Sequence, residues 1–106
     1  MQSKSLSRQL ILGELFDVHL YRQLRVHAAR DTRKMLDELI RVEEGHAGFW
    51  QNFFHETVTN LSFLQRLHII ILAAAARIFG ERVIHLILEA REIYGIRVYL
   101  DVWENF

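Results

Sequence analysis

Glu43 and His46 stand three residues apart in a stretch whose apolar residues recur at steps of three and four. The seam reads Leu36, Leu39, Glu43, His46, Trp50, Phe53, so a carboxylate and an imidazole interrupt the stripe a helix would bury. The opposite face carries Lys34, Asp37, Glu38, Arg41 and Glu44, the mixture of a solvated surface. Ionisable groups set in an apolar seam need compensation, because burying unpaired charge is costly. A divalent metal is one such compensation. Residues three apart on a helix project the same way, and carboxylate with imidazole suits iron, manganese or zinc. The plainer alternative is a neutral core histidine bonded to Glu43 or to a backbone carbonyl, since Glu-x-x-His tetrads arise often on helices.

The same anomaly occurs upstream. Leu10, Glu14, Asp17, Tyr21, Leu24 and Ala28 form one seam, with Glu14 and Asp17 set between apolar residues. Tyr21 lies two turns beyond Glu14, which lets its hydroxyl hydrogen-bond a carboxylate there. The last third offers His85, Glu89, Glu92, Ile96, Tyr99 and Trp103 at the same stepping. There the segment is apolar nearly all round, and Arg82, His85, Glu89 and Glu92 read equally well as its solvent stripe. His19, His27, His55 and His68 have no comparable placement and read as surface or packing residues.

Helices must position these groups. Four segments are predicted: Ser5 to Ala28; from after Asp31, a candidate N-cap, to Glu56; Asn60 to Gly80, a candidate C-terminal glycine; and Glu81 to near the C-terminus. The links, Ala29–Asp31, Thr57–Thr59 and the turn at Gly80, are short. The chain has 106 residues, so a single domain over 1–106 is expected, all-α in class. It contains no proline and five glycines, which suits helices better than a many-turned β fold. It has no cysteine, so disulfides, thiolate metal sites and cysteine nucleophiles are excluded, and any metal must be held by His, Asp and Glu. Thirteen basic side chains balance thirteen acidic ones, which argues against a nucleic-acid partner. The N-terminus has no signal-peptide pattern, and the longest apolar run, Ile69–Ala76, is far short of a membrane span. The greasy stretch Leu67–Leu88 requires a core, a partner or a membrane surface, and a core is the simplest choice. No serine-histidine-aspartate arrangement, phosphate loop or nucleotide fingerprint is present.

Inward glutamates on two helices with Glu-x-x-His motifs on two others build the di-iron site of ferritin-like bundles. The chain resembles the rubrerythrin branch of that family. Glu14 followed by Tyr21 is similar to the family's first-helix Glu and Tyr. Glu43-Glu44-Gly45-His46-Ala47 is similar to its second-helix Glu-x-x-His-Ala segment, and Glu89 and Glu92 to the glutamates of its third bundle helix. Leu61–Gly80 then stands for the long crossover between bundle helices two and three. The runs HAGFWQNFF and ARIFG resemble ferritin-like domains attached to vacuolar-iron-transporter-like membrane proteins. The likeness stops short of a last bundle helix: Asp101 and Glu104 have the spacing but no histidine. Either the chain is a piece of a longer protein, or two chains each supply Glu14, Glu43 and His46.

The resemblance implies a di-iron carboxylate domain that binds Fe(II) and oxidises it with oxygen or peroxide, in iron storage, iron homeostasis or peroxide scavenging. If it is an enzyme, it is a ferroxidase or rubrerythrin-type oxidoreductase. Its implied ligands are Glu14, Glu43, His46, Glu89 and Glu92, with Tyr21 beside them. Iron is the implied metal, with manganese or zinc as substitutes. A homodimer or larger even-numbered assembly is expected, with the first two helices at the interface. The location is cytoplasmic, or at a membrane as part of a longer transporter-like protein. The competing reading is a metal-free helical module that dimerises or docks through Leu67–Leu88.

Overall fold

With no proline and turn chemistry confined to three short stretches, nothing interrupts the helical periodicity. The computed structural model describes residues 2–55, 57 and 60–105. These form α1 (Gln2–Leu24), a 3₁₀ turn (Arg25–His27), α2 (Arg30–Phe54), α3 (Phe63–Phe79) and α4 (Glu81–Asn105), with no strand among the described residues. The class is all-α, as the periodicity predicts. Glu56, the expected end of the second helix, and the link residues Val58 and Thr59 lie outside the described residues.

Three helix starts differ from the expected ones: α1 begins at Gln2 rather than Ser5, and it ends at Leu24, where the chain tightens into the 3₁₀ turn, rather than at Ala28. Asp31 is not the cap of α2. The helix begins two residues earlier than a cap at Asp31 would set it, with Ala29 in the cap position and no side-chain bond from that residue. The orphan donors are met from 52 residues away, where Glu81 accepts from the Ala29 N–H. Its other carboxylate oxygen accepts from the Thr32 hydroxyl at 2.8 Å. These bonds hold the Glu81 carboxyl below the usual range, the Ala29 N–H contributing most. A cap recruited from another helix leaves no trace in neighbouring sequence. Helix α3 begins at Phe63 rather than Asn60, because Ser62 and Gln65 form a reciprocal capping box. It ends, as expected, at Gly80, whose φ of 78° would strain any side chain.

Helix α1 is the hub, packing against α2, α4 and α3. Ion pairs Arg22–Glu44 and Arg25–Asp37 descend along α2 as α1 ascends, so those two helices are antiparallel. Asp17 with Arg91 and Glu14 with Tyr99 set α4 antiparallel to α1 as well. Thr32 with Glu81 and Trp50 with Tyr99 then make α2 and α4 parallel neighbours. The core holds Leu20, Leu24, Leu36, Ile40, Ile69, Ala76 and Ile84. Among the described residues no helix is long and apolar enough to cross a membrane.

Candidate metal centre

The α1 seam is buried along its whole length: Leu10, Glu14, Asp17, Tyr21, Leu24 and Ala28 are all in the interior. Two carboxylates therefore sit inside the molecule, one turn apart. The α2 seam differs from its predicted phase. Its buried residues are Thr32, Leu36, Ile40 and Ala47, so the stripe lies to one side of the predicted line. Glu43 remains mostly buried, while His46 lies on the rim with 47% of its side chain exposed and Phe53 faces outward. The reason is tertiary: α4 does not close over α2, and a cleft of about 710 Å³ remains between them with α1 as its floor.

Glu14, Glu43 and His46 converge in that cleft. One ligand atom from each lies within 4.8 Å of the other two. His46 Nδ1 is 3.7 Å from Glu14 Oε2 and 3.9 Å from Glu43 Oε1. Ligand atoms at roughly 2.0–2.2 Å from a shared ion in tetrahedral geometry stand about 3.3–3.6 Å apart. Small side-chain rotations close that difference. Glu14 Oε2 is buried without a hydrogen-bond partner, an expensive state for a carboxylate oxygen. Its other oxygen accepts from the Tyr99 hydroxyl at 2.8 Å. The Trp50 Nε1–H donates to that hydroxyl at 3.2 Å, which orients it.

Tyr99 thus has the position expected of Tyr21. Tyr21 is buried and lines the cleft, but the hydroxyl on Glu14 comes from α4. Its phenol is pushed upward, first by burial and then by Asp17 and Glu43. Tyr99 is also pushed upward, again chiefly by burial. The sequence offered one signal for Tyr99: it continues the Glu89, Glu92, Ile96 stepping of α4.

Glu89 and Glu92 line the same cleft from α4, but both are exposed and stand outside the three-residue cluster. His85 lies on that rim too, 3.5 Å from Glu81. His19 is exposed beside Asn60 and Arg66, and His68 lies against the Phe16 ring.

The carboxylates repel one another in this setting. Burial, the adjacent Glu14 carboxylate and then Asp17 push Glu43 up to about 10. Burial and the neighbouring carboxylates therefore favour the protonated form of Glu43 in the metal-free protein. Asp17 is raised to about 6 by burial, against the lowering pull of Arg91. Arg91 was not singled out by the sequence pattern. Its guanidinium donates to Asp17 at 2.5 Å and to the Gly13 carbonyl at 3.4 Å, and lies over the Phe16 and Tyr94 rings. Chemically, the cleft offers an anionic, partly desolvated pair of carboxylates with one imidazole, open on one side.

No family model, curated protein or solved structure matches the chain.

Proposed function

We propose that the chain is a ferritin-like di-iron carboxylate domain of rubrerythrin type, which binds Fe(II) through Glu14, Glu43 and His46 and oxidises it with oxygen or peroxide as the electron acceptor. One observation carries this reading: the buried, unpartnered Oε2 of Glu14 lies 3.7 Å from His46, with the Glu43 carboxylate in the same cluster. A divalent cation satisfies all three groups at once and replaces the proton on Glu43. The helix order supports the same reading. α1 runs antiparallel to α2 and α4, and α3 is the connection that lets α2 and α4 run parallel. That order suits a four-helix bundle in which a further helix would pack over the open cleft.

In this reading Glu14, Glu43 and His46 would hold the ion. Glu89 and Glu92, on the opposite rim of the cleft, are the carboxylates that would hold a second ion. Bound iron supplies one-electron redox chemistry; manganese or zinc suits the same donors. Tyr99, oriented by Trp50, fixes the Glu14 carboxylate so that its free oxygen faces the imidazole. Helix α1 is largely covered by the other three, so a second copy that shares the site must approach across the α2 and α4 rims.

Anaerobic Fe(II) and Co(II) titration of chelator-stripped protein tests this reading. His46→Ala is expected to weaken metal binding by more than about 100-fold, beyond the range of ligand-supporting residues. Glu44→Ala, two residues away on the solvated face, leaves it unchanged. Equal effects of the two substitutions, or no metal uptake by the unmodified protein, overturn the assignment.

A further inference from the structure

Helix α4 serves cavities on two opposite faces. Glu89, Glu92, Ile96 and Tyr99 line the metal cleft. Val83, Leu86, Ala90 and Tyr94 recur at the same three-and-four stepping on the other side, where α4 lies beside α3. Two hollows meet there. A furrow of about 300 Å³ between α3 and α4 has Leu72, Val83, Leu86 and Ile87 as its walls. A wider hollow of about 620 Å³, where α1 joins them, has Leu12, Gly13 and Phe16 as its floor. His68 and Arg91 line both, so the two form one continuous groove with an apolar end and a polar end. Val83 and Tyr94, at its two ends, stand about 16 Å apart along the helix axis.

The polar end is built from donors. Arg8 lines it and pairs with no carboxylate among the described residues. The Gln65 side-chain oxygen is committed to the Ser62 N–H, which leaves its amide hydrogens to give. The Tyr94 hydroxyl accepts from Gln9 at 3.4 Å and keeps its own proton for a further acceptor. The His68 ring stands 5.4 Å from the Phe16 ring, and the Arg91 guanidinium lies 4.4 Å over that same ring. Among the described residues, no aspartate or glutamate lines either hollow. This charge pattern selects the ligand. Arg91 is already balanced by Asp17, so the uncompensated charge at the polar end is the one guanidinium of Arg8. One free cation among neutral donors matches a monoanion, and a carboxylate accepts from several such donors at once. The furrow that leads away from it offers only hydrocarbon from Ala90 to Val83, about 10 Å of helix, which suits an alkyl chain.

We propose that this groove binds a medium-chain fatty acid, its carboxylate held by Arg8 with Gln65 and Tyr94 and its alkyl chain laid along Leu72, Leu86 and Ile87. Glu14, Glu43 and His46 stand outside both linings, so the site is independent of the metal reading.

Calorimetric titration of chelator-stripped protein with decanoate, kept below its micelle concentration, is expected to show one site per chain. Affinity should rise about 2–4-fold for each methylene added from hexanoate to decanoate, the gain for a chain partly to fully withdrawn from water. Arg8→Ala is expected to weaken decanoate binding about 10-fold or more. Ala90→Glu, which sets a carboxylate where the two hollows meet, should weaken it further. Both positions are exposed, so circular dichroism of the two variants should match the parent. Arg97→Ala removes an exposed arginine outside the groove, and Glu14→Gln disables the metal cluster; both should bind decanoate as the parent does. Equal affinities for Arg8→Ala and Arg97→Ala, no gain with chain length, or no decanoate binding at two temperatures overturns the proposal. Decyl phosphate bound more tightly than decanoate overturns the choice of a carboxylate. Flotation with phosphatidylglycerol vesicles, without uptake of free decanoate, overturns it too and assigns the groove to a lipid surface.

Discussion

Glu14 and Asp17 are neighbours on one buried face of α1, and their surroundings differ. Asp17 is met by the Arg91 guanidinium, itself braced by the Gly13 carbonyl and two aromatic rings. Glu14 is met by a tyrosine hydroxyl on one oxygen, while its other oxygen has no cationic partner and faces only the raised Glu43 carboxyl and His46. The first carboxylate is compensated within the protein; the second faces another carboxylate and a half-exposed imidazole. The contrast separates a structural charge from one held for a ligand, since a fold that can supply one arginine to this layer supplies none to Glu14.

The sharpest way to break the comparison is to remove the structural partner. Arg91→Met should strip Asp17 of its counter-charge and destabilise the protein by about 3–5 kcal/mol, the range for a broken buried pair. Urea denaturation of chelated protein measures it. A loss under about 1 kcal/mol would mean that water reaches Asp17 freely.

Next in size is the effect of Tyr99→Phe, which removes the donor to Glu14. Metal affinity should fall roughly 10–100-fold, and the metal-free protein should lose about 1–3 kcal/mol of stability, because the buried Glu14 carboxylate is left without its tyrosine donor. Trp50→Phe, which frees the tyrosine hydroxyl to rotate, should act in the same direction and less. A Tyr21→Phe variant that matched Tyr99→Phe would return the supporting role to Tyr21.

The pH dependence is subtler. Glu43 is raised from its ordinary value to about 10, so the folded metal-free protein holds a proton that the unfolded chain releases above about 4.5. Its contribution is fully present below pH 4.5 and is lost as pH rises towards 10. Metal-free protein should therefore melt at progressively lower temperature from pH 5 to pH 9. Glu43→Gln should flatten that slope, and metal uptake by the unmodified protein should strengthen over the same interval as the proton leaves. A melting curve that rises with pH would contradict this sign. The smallest expected change is at Glu44: its pair with Arg22 is half exposed on both sides, and Glu44→Ala should alter stability by no more than about 0.5 kcal/mol.

Much of this was legible before any coordinates. Helical class followed from missing prolines and from three-and-four stepping, because both act locally on the backbone. The burial of Glu14 and Asp17 followed from their seam, because α1 is covered on several sides and its phase leaves no alternative. Glu14, Glu43 and His46 were singled out by their seams and by the rubrerythrin resemblance; one ligand atom of each lies within 4.8 Å of the others, although the buried stripe of α2 lies to one side of the predicted line. Gly80 ends α3 as read, since a positive φ is a property of one residue.

What tertiary structure alone decided has a common physical cause: hydrogen bonds and charges find partners by distance in space, not by distance along the chain. Glu81 caps α2 across 52 residues where Asp31 was the local candidate. Tyr99 reaches Glu14 from α4 where Tyr21 was on the same helix as the carboxylate. Arg91 compensates Asp17 across 74 residues. The exposure of His46 depends on how far α4 stands from α2, which no periodicity encodes. Helical phase determined which side chains face inward. The packing of α1 against its three neighbours decided which of those side chains met a partner and which were left facing the cleft.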